Sequence, residues 1–392
     1  GNDVSDNWVE KSGVTVLPYK WTISEGLIKY SWDGSASTLW SDINNWTPAI
    51  GIPGIADVVY FGDLAFTNQP TVATLEQVKK VYFNSTTPTT LTLSGGGSLT
   101  VQGNIDGFWS SDAVHTISVG SRTLTTFSDI VLSDGTTNRR IDLTASTGTI
   151  NVNGSLTQAG GASITFTDAG SLNISGDFNY VNGAFTPNAS TIFYNGVGTQ
   201  SVGGVTYYDL NIDKAAGTTI MNSPVTVNNN LTLSNGGQLD VQTTLSVAGN
   251  INIGSGTILS IPTTNTINVS GNWVQDGVFQ QGGGTIVFNG TGAQTTDPTT
   301  FNNLTVNKPA GTLSVLGDLV INGNIDIQAG TVEVSTYDVS RSTLGGSASL
   351  GAGAVARFGG SGIQINNFGT LTADPTSTIE FYTASSRIIP PI

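Results

Sequence analysis

Groups able to do chemistry are scarce in this sequence, and the scarcity narrows what it can catalyse. His115 is the only histidine, and there is no cysteine. A serine–histidine–acid arrangement would have to be built around that one imidazole, which sits in the β-like run Val114-His115-Thr116-Ile117 and reads as a surface or turn residue. Without it, acid–base work falls to carboxylates. Glycoside cleavage needs two of them about 5–10 Å apart across a cleft. Asp112, Asp134 and Asp142, with Arg139 and Arg140 nearby, form the one cluster of that kind, and solvated loop charge is the competing reading. The sequence therefore assigns no catalytic residue, no ligand-binding residue and no metal ligand.

Metal binding has equally little to build on. Missing cysteine removes thiolate sites, disulfides and lipid-modified cysteines. Calcium would need closely spaced acids and carbonyls, yet there is no Asp-x-Asp-x-Asp-Gly loop and no glycine-glycine-x-glycine-x-aspartate repeat. Asp57 and Asp63, which flank Phe61-Gly62, read as turn and capping groups. No cofactor is expected; structural calcium is the one option the acids leave open.

The elements that hold these residues are copies of one unit. Gly176 to Val241 returns, shifted by about 94 positions, as Gly271 to Val334. Thr191-Ile192-Phe193-Tyr194-Asn195-Gly196 falls on Thr285-Ile286-Val287-Phe288-Asn289-Gly290, and Leu210-Asn211-Ile212-Asp213-Lys214 on Leu304-Thr305-Val306-Asn307-Lys308. A third copy opens at Gly369 and breaks off, and the natural polypeptide is expected to continue with more. Inside the long unit lies a shorter one, an apolar–small polar–β-branched–any–Gly pentapeptide. It occurs at Leu99–Gly103, Ile150–Gly154, Leu172–Gly176, Leu245–Gly249, Ile267–Gly271 and Leu313–Gly317, mostly at multiples of about 22 to 25 residues. Alternating stretches such as Thr149-Ile150-Asn151-Val152-Asn153 mark strands with one buried face, and glycine with Asn or Asp marks the corners. A period near 22 is too long for one hairpin strand and suits a three-sided coil, so the chain is expected to be all-β, a parallel β-helix (β-solenoid), in preference to a string of sandwiches. Phe178, Phe185, Phe193, Phe279 and Phe288 are expected to stack inside, and Asn151, Asn173, Asn252 and Asn268 to bond from coil to coil at the corners.

Such an array needs closed ends. Five of the seven tryptophans, Trp8, Trp21, Trp32, Trp40 and Trp46, lie in the first 46 residues and read as an N-terminal cap rather than a sugar-stacking platform. The expected organisation is a leader or linker strand over 1–30, a Trp-rich cap and first coils over 31–98, and further coils over 99–175. Long repeats follow over 176–270 and 271–364, with the truncated third over 365–392. The first ten residues are polar and acidic, unlike a signal peptide, so the numbering is read as starting at a mature or trimmed end.

Composition restricts partners. The net charge of −14, with 10 % charged residues, argues against nucleic acid and anionic membrane surfaces; Lys79-Lys80 and Arg139-Arg140 are the only basic doublets. No apolar run of 18 residues exists to insert into a membrane. The abundance of Thr, Ser, Asn and Gly fits an extracellular life. Ice binding would need regular Thr-x-Thr ranks on one flat face, and Thr90-Leu91-Thr92 and Thr123-Leu124-Thr125 read as sporadic.

Tyr30-Ser31-Trp32-Asp33-Gly34, Leu39-Trp40-Ser41-Asp42, Asn45-Trp46, Pro53-Gly54 and Asp57-Val58-Val59, followed by Phe301-Asn302-Asn303-Leu304-Thr305-Val306-Asn307-Lys308 and Val320-Ile321-Asn322-Gly323-Asn324-Ile325, resemble repeats of giant bacterial surface adhesins exported by the type IX secretion pathway, including gliding-motility adhesins. The resemblance covers nearly everything after Tyr30. It implies a right-handed parallel β-helix, display at the bacterial cell surface, no enzymatic activity, an extracellular surface or polysaccharide as partner, and contact with secretion or outer-membrane anchoring machinery. The function expected is that of a rigid rod, stalk or adhesive segment of a larger cell-surface adhesin. A polysaccharide-binding or polysaccharide-cleaving β-helix is the alternative.

Overall fold

The structure, a computed structural model, describes residues 28–359 and 367–382. Trp8, Trp21, the first 27 residues of the expected leader and the run Ser385–Ile392 lie outside the described residues. The chain divides into two units, Gly1–Gly170 with Val181–Ala184, and Ser171–Tyr180 with Phe185–Ile392. Both are β-solenoids of parallel stacked coils. The described residues contain no α-helix, and Ile43–Asn45 forms a 3₁₀ turn; no described helix is long and apolar enough to cross a membrane.

In the first unit each full coil contributes one strand to each of three sheets. Lys80–Asn84, Thr90–Leu93 and Ser98–Val101 make one coil; Ile105–Phe108, Ala113–Gly120 and Thr123–Thr126 make the next. Pairing between coils is parallel and in register, with Val81 against Ile105 and Ile105 against Ile130, then Ile130 against Leu156. Apolar side chains alternate with polar ones, and period 2 sends every second residue inward: Val81, Phe83, Leu91, Leu93, Leu99 and Val101 are all buried. At the N-terminal side Trp46–Thr47 pairs antiparallel with Lys29–Trp32, which pairs parallel with Val58–Phe61.

The second unit repeats the scheme on shorter coils. Leu210 pairs with Leu231, Leu231 with Ile251, and Ile251 with Trp273, steps of about twenty residues. A second side runs Val225, Leu245, Ile267, Ile286, Leu304 and Ile325. Two ladders of hydrogen bonds join its coils besides the backbone. Asn230 N–H donates to Asp209 Oδ1 (2.9 Å), Asn250 N–H to Asn230 Oδ1 (2.9 Å), Asn272 N–H to Asn250 Oδ1 (2.8 Å) and Thr295 N–H to Asn272 Oδ1 (2.9 Å). A second series joins Asn303, Asn324 and Ser347. Each amide or carboxylate side chain thus satisfies a corner N–H of the next coil that would otherwise be left out of a strand ladder.

Two expectations about side chains are corrected. Phe193 points outward, because its strand Thr191–Tyr194 buries Ile192 and Tyr194; the repeat places Tyr194, not Phe193, at the position of buried Phe288. Phe185 is half-buried, while Phe178 and Phe279 are interior as expected. The amides of Asn151, Asn252 and Asn268 do reach the adjacent coil, but from the outer faces of strands and onto hydroxyls: Thr125 Oγ1 (3.1 Å), Thr232 Oγ1 (3.4 Å) and Ser246 Oγ (3.2 Å).

The parity of Thr191–Tyr194 yields a direct test. Replacing Tyr194 with Ala should cost about 3–5 kcal/mol, from the lost ring and its cavity. Phe193→Ser should cost no more than about 1 kcal/mol. Urea unfolding of the two variants distinguishes them, and the reverse ranking would mean the strand faces the other way.

Candidate functional site

The acids singled out above are brought close together, but with cations set among them. Arg139 stands between Asp112 and Asp134, Nε 3.5 Å from Asp112 Oδ1 and Nη1 3.6 Å from Asp134 Oδ2. Arg140 Nε lies 3.2 Å from Asp142 Oδ1, which also accepts the Ser163 N–H at 2.7 Å. Asp134 Oδ1 accepts the Thr136 N–H at 2.8 Å, closing its own turn. Each carboxylate therefore faces a guanidinium or a backbone amide. Arg139 thus bridges two of the three carboxylates, and Arg140 pairs with the third.

Asp57 and Asp63 sit where capping groups belong. Asp57 accepts the N–H groups of Gly54 (2.8 Å) and Ile28 (3.3 Å). Asp63 accepts Ser31 Oγ–H (2.6 Å) and pairs with Lys29 Nζ (3.1 Å). Among the described residues no group of three or more His, Asp or Glu side chains converges in a way that would hold a metal ion.

His115 is not the surface or turn residue expected. It occupies an inward position of Ala113–Gly120, between buried Ala113 and Ile117, and has no exposed surface. Its Nδ1 accepts the Thr89 N–H at 3.0 Å, so the neutral ring carries its proton on Nε2. Phe83 and Trp109 lie against it, with ring centroids 5.1 and 5.5 Å away. Burial pushes the imidazole down to about 4.

Trp32, Trp40 and Trp46 are fully buried. Trp46 packs edge-on to Trp32 (5.0 Å) and Trp40 (4.8 Å), with Phe61 beneath all three. Trp46 Nε1 donates to the Trp40 carbonyl (2.7 Å) and Trp32 Nε1 to the Asn68 carbonyl (2.8 Å). Their faces are spent on one another, and none of the three presents a ring to a sugar. Outside, Tyr60, Tyr82 and Phe108 also pack on each other, and Lys29 Nζ covers Tyr60 at 4.4 Å.

The most elaborate polar constellation went unread in the sequence. In the second unit Gln200 is buried at a corner, its Nε2 donating to the carbonyls of Ile174 (2.9 Å) and Gly176 (2.7 Å) in the preceding coil. Its Oε1 accepts the Gly196 N–H (3.0 Å) and the ammonium of Lys214 from the following coil (2.5 Å). One repeat later the arrangement returns. Gln294 Nε2 donates to the carbonyls of Val269 (3.1 Å) and Gly271, and its Oε1 accepts Gly290 N–H (2.9 Å) and Lys308 Nζ (2.6 Å). Lys308 Nζ also donates to the Gly290 and Gly292 carbonyls at 2.8 and 2.9 Å. Each knot joins three successive coils. Glycine is required at its corner, since a Cβ on Gly196 or Gly290 would stand 1.9 or 2.0 Å from the carbonyl oxygen of Ser175 or Ser270. Burial lowers both ammonium groups, that of Lys214 to about 8 against the opposing pull of Asp177. The signal was present as Asn-Gly-x-Gly-x-Gln with Lys fourteen residues further on, in both copies.

Outward positions of the first unit form ranks through the register. Thr71, Thr92, Ser118, Thr144 and Thr165 fall in one column over five coils. On another side Ser98, Thr123 and Thr149 make one column, with Thr100, Thr125 and Asn151 beside it. The Thr-x-Thr runs are thus aligned rather than sporadic. The column beside the five-coil rank passes from Thr90 and Thr116 to charge-paired Asp142, which falls short of the uniform double rank that ice binding requires.

Comparison of the chain with protein-family models, with curated proteins and with solved structures gave no match in any of the three.

Removing one half of a knot should hurt more when it strands a charge. Gln294→Met leaves the buried Lys308 ammonium short of an acceptor and should cost about 3–5 kcal/mol. Lys308→Met leaves only neutral carbonyls and should cost about 1–3 kcal/mol. Because both lysines are lowered by burial, their contribution to stability should rise as pH increases from about 8, where Lys214 titrates when folded, towards the ordinary lysine value. Urea unfolding at pH 7.5 and 10 checks both points, and the gain should vanish in the Lys214→Met/Lys308→Met variant.

Proposed function

We propose that the chain is a non-enzymatic, extracellular repeat segment of a larger bacterial cell-surface adhesin, of the gliding-motility adhesin-like, type IX-exported kind. The observation that carries this reading is the outer face of the coils. Register turns scattered Thr and Ser into ranks repeating at the strand spacing of about 4.8 Å, while the carboxylates that would do chemistry are tied to Arg139 and Arg140. A periodic hydroxyl surface offers many equivalent weak contacts, whose sum grows by multivalency, and its partner in this reading is a surface polysaccharide. The buried knots and amide ladders fit a mechanical role, since each adds coil-to-coil bonds that resist local opening. The tryptophan cluster, in the same reading, closes the first coils, and the resemblance in Tyr30–Val59 and in the later repeats supports right-handed winding, surface display and anchoring by the export machinery.

Binding to insoluble and arrayed polysaccharides, together with a reducing-end assay on the same samples, tests the proposal. Retention without release of reducing ends is expected. Replacing Thr92 and Thr144 with Val and Ser118 with Ala should weaken retention severalfold while leaving the circular dichroism spectrum unchanged. Release of oligosaccharide that disappears in Asp134→Ala or Asp142→Ala would overturn the proposal in favour of a polysaccharide-cleaving β-helix.

A further inference from the structure

His115 is the one imidazole of the chain, it lies in the interior of the first unit, and nothing in the adhesive reading uses it. What it holds is a corner. Thr89, whose N–H it accepts, ends the turn that leaves Lys80–Asn84 and leads into Thr90–Leu93. That turn is otherwise fixed by a few bonds to the preceding coil. Thr86 and Thr87 N–H donate to the Gly62 carbonyl (2.8 and 3.1 Å), and Thr87 Oγ1 donates to the Leu64 carbonyl (2.9 Å). Ser85 Oγ accepts the N–H groups of Ser110 and Ser111 (2.8 and 3.1 Å), which couples this corner to the next one, where Trp109 covers the imidazole.

The bond has a fixed polarity. A backbone N–H can only donate, so Nδ1 must keep its lone pair; a proton there would set two donors against each other. Nε2 is buried with no hydrogen-bond partner among the described residues, so it offers no acceptor to share an added charge. The charged groups on the surrounding elements are turned elsewhere. Asp63, next to Gly62, engages Ser31 and Lys29. Lys80, on the strand of Phe83, lies by the Tyr82 hydroxyl, and Asp106, on the strand before Trp109, is set on the outer face. Asp112 pairs with Arg139, and Asp142 with Arg140. Burial alone holds the imidazole down.

We propose that His115 is an acid-released latch: its neutral Nδ1 keeps the Asn84–Thr89 corner closed, and uptake of a proton frees that corner together with the Trp109 segment while the stacked strands stay in place. The strands stay because they bury Phe83, Ile117 and Leu91 and pair on their backbones, whereas the corner depends on a handful of turn bonds. The sign follows from the direction of the shift. The group is lowered in the closed state, so the latch is at full strength above the ordinary histidine value, weakens as pH falls below it, and is spent below about 4. The difference between about 6.5 and about 4 corresponds to an opening equilibrium raised roughly 300-fold at the acid limit.

The full chain, uniformly labelled with nitrogen-15, gives the two ring-nitrogen signals of a single imidazole, whose titration by NMR should lie near 4. Hydrogen exchange of segments 84–89 and 108–112, corrected for intrinsic rates, should accelerate at least tenfold between pH 7 and pH 3.5, with the Thr89 amide among those released. In His115→Gln, which keeps an acceptor but cannot take up the proton, the acceleration should be absent. An ordinary imidazole titration near 6.5, unchanged protection at pH 3.5, or the same acid response in His115→Gln would each overturn the proposal. If the variant fails to fold, the wild-type titration and exchange still decide it.

Discussion

Parallel, in-register pairing between successive coils is the constraint on which the rest of both units depends. Once Leu210 lies against Leu231 and Leu231 against Ile251, neighbouring residues are forced into matching columns, and the two-residue period of a strand decides which columns are dry. A slip of one residue would carry Ile192 and Tyr194 to the outside and bring Phe193 with its polar neighbours in, so the register is set by burial as much as by hydrogen bonding. The same rule acts outside. Thr92, Ser118 and Thr144 form a rank for no reason other than that Leu91, Ile117 and Leu143 are stacked on the inner side of the same strands.

Corners are where such a ladder fails, because the chain leaves the strand and its N–H and C=O groups lose their partners. Two devices meet that need in the second unit. Asn and Asp side chains reach one coil ahead to catch a corner amide, and the buried Gln–Lys knots gather several carbonyls and an N–H around one amide group. The lysine suits this task because an ammonium donates three bonds and accepts none, matching the Gly290 and Gly292 carbonyls and Gln294 Oε1. Its desolvation opposes folding, and the carbonyl set offsets that cost.

The fold was legible from the sequence because it is written many times. The pentapeptide ending in glycine and the 94-residue copy gave the coil, and alternation in stretches such as Thr149–Val152 gave the buried face. Aromatic positions were less legible, since Phe193 and Tyr194 are adjacent and only parity separates outer from inner; alignment with Val287 and Phe288 held that information. The sequence points to Asn151, Asn173, Asn252 and Asn268 for the coil-to-coil amides, whereas the corner ladder uses residues such as Asn250, Asn272 and Asn324, directly after the repeat glycine. The burial of His115 was hidden for a different reason. Its strand, Ala113–Gly120, is eight residues long and its inward positions are Ala, His, Ile and Val, so one polar residue on the apolar parity looked like a break at the strand's start.

The candidate chemistry shows how a repeating scaffold treats charge. Arg139 and Arg140 sit on one strand next to each other, so period 2 sends them to different columns, and each finds its own acid: Arg139 meets Asp112 and Asp134 at the corner, Arg140 meets Asp142 two residues on. A cleft with two unlike carboxylates would require the columns to differ from coil to coil, which is what in-register stacking of similar residues works against. The same stacking makes the outer face uniform over several coils, and uniformity suits a surface that holds by many similar contacts. Many-point adhesion and catalysis at a unique cleft thus place opposite demands on the register of a stacked-coil fold.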